Sequence, residues 1–438
     1  MANAGSAFDV FVALDGPVLN GMEGPTGVLR LRYWPKEDRH TFALNFFDGA
    51  SGGHAVQVNK EGTIGHAGGF SRQLIFFDTQ SLQEVARFST TNFGPIENSF
   101  QSQTHVVFTK EKEFITAIGE NFWRFDLAKI KNRSLNPQDG ENLGPHKSLL
   151  PHSVKLSPSG RYLAYGVMDT DHGGFARQFG VFDLQEPNPE HRARVMPLDE
   201  TAWHFGFHPT QDIAYAVSEC YDPGPGIGNA PFDFYQSFSI GYRRNWVWKI
   251  DVPNCRELDK ISLPAFMPSH LTSDVVALGD ENDTVFYNAC ASSTLAKVEF
   301  KTHKVEHFDE RVGSLYVMTH PTTWGAALEN IRESGRRVPL FQNMHLFMRA
   351  LAASRRSLLD GSYGLALSPD GRRLVSCHRG LNQIWIYAFP EMEVVKKIKL
   401  PPARQFFPKY LSVFSDRRLG MHHAVKSTSS AKDVDWKG

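Results

Sequence analysis

The stretch YGLALSPDGRRLVSCHRGLNQIWIYAF (363–389) decides the fold of this 438-residue chain. An apolar run, YGLAL, meets the turn Ser-Pro-Asp-Gly, and a second apolar run, RLVSC, returns. Pro presets φ at the first turn position and Gly supplies positive φ later, so the pair reads as a hairpin. A third run, IWIYAF, is rich in β-branched and aromatic residues and reads as the next strand.

The same unit recurs. HSVKLSPSGRYLAYG (152–166) and HFGFHPTQDIAYAV (204–217) are close copies. HAVQVNKEGTIGHAG (54–68), HVVFTKEKEFITAIG (105–119), HLTSDVVALGDENDTVFYNAC (270–290) and YLSVFSDRRLGMHHAV (410–425) are looser ones. Third strands follow at LIFFD (74–78), FWRFD (122–126), FGVFD (179–183), WVWKID (246–251) and LAKVEF (295–300). Four of these end in Asp, whose side chain can bond the turn backbone. A fourth strand follows at EVARFS (84–89) and EVVKKIKL (393–400). The seventh unit is split between the termini, its inner strands expected at 410–425 and its outer ones at GVLRLRYW (27–34) and HTFALNF (40–46). Such a split closes a ring and hides the open sheet edges. The expectation is an all-β, seven-bladed β-propeller, one domain over 1–438, with the N- and C-terminal strands sharing one blade.

Two insertions interrupt the repeat: a Gly-, Pro- and aromatic-rich one at 221–245, and one at 313–361. In the second, Leu340, Met344, Phe347, Met348 and Leu351 recur at helical spacing, which predicts a helix on the rim or a lid over a pocket.

Composition narrows the function classes. The chain has 47 basic and 47 acidic side chains, which argues against a nucleic-acid footprint. No apolar run is long enough for a transmembrane helix. Cys220, Cys255, Cys290 and Cys377 form no CxxC pair and no disulfide framework. The N-terminus lacks the basic region of a secretory signal. These features point to a cytoplasmic protein in a reducing compartment, of undetermined oligomeric state.

Aligned by first strand, the units open with His54, His105, His152, His204, His270, Tyr363 and Tyr410. First strands line a propeller's channel, so these side chains converge on one axis. Five imidazoles in seven positions make a candidate site for a divalent transition metal: Fe, Cu, Mn or Zn. At any one position a His also serves by packing or by bonding a backbone carbonyl. His320 is a reserve ligand. His66 and His172 sit in Gly-rich segments that could face the pocket, and His422 and His423 alternate across a strand.

On these stretches, 367–389 and 156–166 above all, the chain resembles YVTN-type and lactonase-like propellers. The His cluster resembles the His-only iron centre of carotenoid-cleaving oxygenases, with His152, His204 and His270 standing in for three of its blades. That resemblance implies a metal-dependent enzyme that cleaves a small, partly apolar organic substrate oxidatively. A second one, to virginiamycin-lyase-like propellers, implies redox-neutral lyase, lactonase or isomerase chemistry. A metal Lewis acid and a His base would act there, with Tyr363 and Tyr410 as catalytic donors to a developing oxyanion. A noncatalytic scaffold for protein binding is the remaining reading.

Overall fold

A computed structural model describes residues 6–14, 25–51, 53–69, 72–93, 105–130, 134–148, 151–167, 177–218, 245–263, 272–289, 294–309, 362–379, 381–406, 419 and 421–426. Its strands form seven four-stranded antiparallel sheets, six of them in chain order outward from the axis, giving a seven-bladed β-propeller. The inner strands are Gly53–Val58, Val107–Phe108, Pro151–Leu156, Phe205–Phe207, Thr272–Ala277, Ser362–Leu367 and Met421–Lys426, for blades 1 to 7 in that order.

The expected turns are present. Ser157 N–H bonds Tyr162 O at 2.8 Å, and Ser368 N–H bonds Arg373 O at 2.8 Å. Gly160 and Gly371 sit at φ +74° and +70°, where a Cβ is strained. The Asp residues that end third strands accept turn N–H groups: Asp78 from Ser81 and Asp126 from Ala128. Asp183 does so from Gln185.

The core is divided among the junctions between blades. Among the described residues an apolar cluster fills every junction, such as Leu74, Phe76, Phe114 and Phe125 between blades 1 and 2. The middle strands of the blades, such as Tyr162–Val167 and Gln178–Asp183, are therefore buried on both faces, which suits the Val, Ile, Phe and Tyr content of the repeats, while outer strands such as Glu393–Lys399 are mostly exposed.

Blade 7 closes the ring, in a different register from the one read above. Its inner strand is Met421–Lys426 alone, and its second strand is Phe8–Leu14 from the N-terminus. Pro25–Trp34 and Arg39–Ser51 complete it. All of Phe8–Leu14 is buried. Strands buried on both faces lose the alternation that betrays them in a sequence. Buried Arg32 grips Asp9 through two bonds of 2.7 and 2.8 Å across this blade. Arg30 donates to the Thr79 and Gln80 carbonyls of blade 1, at 2.9 and 3.0 Å. The insertions at 221–245 and 313–361 lie outside the described residues, apart from Asn245 at the start of its strand. No helix among the described residues is long and apolar enough to cross a membrane.

Candidate metal centre

The inner strands share an irregularity that positions the site. In blade 1, Gly53 faces Gly69 but Ala55 faces Gly68, which leaves His54 out of the pairing. In blade 3 the same break holds His152 and Ser153. It holds the Ser273–Asp274 backbone in blade 5, Tyr363 in blade 6, and the His422–His423 backbone in blade 7. A bulge detaches a residue from the ladder and re-aims it, here repeatedly just after the first residue of the inner strand. His204 immediately precedes its short inner strand, and His105 stands two residues ahead of its own.

His54, His105, His152 and His204 come together. One ring nitrogen from each lies within 4.8 Å of the others. All four residues are buried, at 4–5% exposure. Their ring centroids are 5.0 to 6.4 Å apart, and His54 Nε2 is 3.1 Å from His152 Nε2. Without a metal that contact requires one ring to donate and the other to accept, so the two cannot both be protonated.

The group fits a metal. Bonds of about 2.0–2.1 Å to one ion place two nitrogens about 3–4 Å apart, the scale seen here. Four imidazoles without a carboxylate suit zinc, copper and iron better than magnesium or calcium.

The other expected site residues fare differently. His270 and Tyr410 lie outside the described residues, as do His172 and His320. In blade 5 the residues left out of the strand pairing are Ser273 and Asp274. Tyr363 occupies the blade 6 position, partly exposed, with the Arg379 guanidinium 5.7 Å from its ring. His66 is not in a pocket-facing Gly loop. It lies in the second strand of blade 1, fully buried, 5.4 Å from the Phe76 ring. His208 organises a turn, its Nδ1 accepting from the Thr210 and Gln211 amides.

Two residues near the axis escape a reading based on histidine. Asp274 is buried, and its Oδ2 accepts the N–H of Leu365 at 3.0 Å and of Ala424 at 2.9 Å, joining the inner strands of blades 5, 6 and 7. Lys155 extends from the inner strand of blade 3, and its Nζ donates to Phe205 O in blade 4 at 2.6 Å. The only sequence signal for either is a charged residue in a strand otherwise apolar or aimed at the channel.

No family model and no curated protein matches the chain. Among solved structures it is similar to the β-propeller domain of Cps50 (Swd1) from Myceliophteria thermophila. Identity there is 10%, over 80% of this chain and 88% of that one, with a TM-score of 0.46. It is also similar to Kuenenia stuttgartiensis hydrazine synthase, at 12% identity over 82% of this chain and 91% of that one, with a TM-score of 0.48.

Proposed function

We propose that the four-histidine group binds a divalent transition metal and that the protein is a metalloenzyme. The observation that carries this reading is the convergence of four buried imidazoles from four consecutive blades, with ligand nitrogens within 4.8 Å. Consecutive placement leaves the side facing blades 5 to 7 for a substrate, where Tyr363 and Asp274 hold the equivalent positions. The metal would supply a redox centre or a Lewis acid. The chain's own residues orient it through strands fixed by the blade junctions and shield it from bulk water.

The favoured chemistry is oxidative cleavage of a small, partly apolar organic molecule, since imidazole-only sites suit iron and copper. The partly exposed phenol of Tyr363 supports a second chemistry, redox-neutral ring opening or elimination with Tyr363 as proton donor. A cytoplasmic setting is part of the proposal and is supported by the cysteine spacing.

The test is elemental analysis of protein purified without chelator or affinity metal, followed by turnover with and without oxygen. About one metal per chain is expected, and His152→Ala or His204→Ala should lose it while the β-sheet circular dichroism is kept. Metal-free wild-type protein that takes up no Fe, Cu or Zn would refute the enzyme reading and leave the scaffold one.

A further inference from the structure

Lys155 stands on the inner strand of blade 3, deep in the propeller yet partly accessible, at the inner edge of the junction with blade 4 where Phe205 packs. It follows His152 by three residues on the same strand, about 10 Å along the chain. Its ammonium carries three donors. One goes to Phe205 O, and the Phe205 ring lies 5.6 Å from Nζ. Among the described residues no carboxylate lies within ion-pair distance of it. Asp274 is the charged group that acts on it across the channel, and its Oδ2 already accepts two amides of blades 6 and 7. Burial lowers the Lys155 pKa, and the Asp274 charge works against that and favours the ammonium. An ammonium with one acceptor among the described residues, partly accessible and three residues along the strand from His152, is suited to receive an anion.

We propose that Lys155 anchors the carboxylate of a substrate whose other end reaches the four-histidine group. This names the substrate class of the site and rests on the metal reading only for the position of the reacting end. A purely structural strap between blades 3 and 4 would alter stability without distinguishing an anion from a neutral isostere.

Calorimetric titration with benzoate and with benzamide decides the matter, using wild-type protein, Lys155→Met and Lys155→Arg, each with and without zinc. Metal-free wild-type protein should bind benzoate about 10-fold or more tighter than benzamide, as expected for one charge-assisted hydrogen bond. Lys155→Met should erase that preference, Lys155→Arg should retain it, and zinc content should be equal in all three. Equal binding of the two probes by wild-type protein, or no binding of benzoate, overturns the proposal even if Lys155→Met does not fold. So does a preference that survives in Lys155→Met. Failure of wild-type protein to take up zinc, with the benzoate preference intact, would instead refute the metal reading and leave the lysine site standing.

Discussion

Blades 1 to 4 and blades 5 to 7 use one strand position for opposite purposes. In the first set it presents His54, His105, His152 and His204 to a common point. In the second, Asp274 uses it to fasten three inner strands through their amides, and Tyr363 sits between. A bulge frees N–H groups as well as side chains, and the two halves exploit different products of that irregularity. A repeat built for symmetry thus becomes a channel with an imidazole side and a side fastened through a carboxylate.

The sharpest way to break this division is Asp274→Ala. It strands two amide donors near the axis and should cost about 3–5 kcal/mol in urea unfolding. Asp274→Asn keeps one acceptor oxygen and should cost clearly less. If Asp274→Ala unfolds like wild type, the carboxylate is not what joins blades 5 to 7.

A smaller effect separates a histidine on the axis from one inside a blade. Neither His66 ring nitrogen meets a hydrogen-bond partner among the described residues, and burial pushes its pKa down to about 3. The unfolded-state value is near 6.5, so the unfolded chain binds the proton first. Its contribution is therefore intact above pH about 6.5, and stability falls as pH drops from there toward 3, by up to about 1.4 kcal/mol per unit. His66→Leu should flatten that slope and stabilise the protein at pH 7 by about 1–3 kcal/mol. A variant with unchanged pH dependence would show that some other group sets the acid limb.

The smallest effect belongs to the rim. Lys396 bonds Asp38 at 2.9 Å between blades 6 and 7, with the Asp38 side chain 61% exposed. Lys396→Ala should change stability by less than about 1 kcal/mol, and less still in high salt. A larger loss would place ring closure at the rim rather than at the axis.

The propeller was legible because its turns carry their own chemistry: Pro-Ser-Gly at 158–160 and Pro-Asp-Gly at 369–371 mark hairpins without reference to anything distant. His54, His105, His152 and His204 meet, and each stands four or five residues ahead of a hairpin turn. His270 stands eight residues ahead of its own, at Leu278, and lies outside the described residues. The second strand of blade 7 was missed for the opposite reason: Phe8–Leu14 has no turn of this kind and no polar face. Asp274 and Lys155 depend on partners 91, 150 and 50 residues away, which local pattern does not encode.

Pairing Met421–Lys426 with Phe8–Leu14 has a kinetic consequence. All four histidines are synthesised before the middle of the chain, yet the circle that holds them rigid cannot shut until residue 426 has left the ribosome. Contacts spanning so much sequence form slowly. A nascent chain would therefore carry the four imidazoles for a long interval on an unlatched arc, and their convergence becomes a late event in biogenesis.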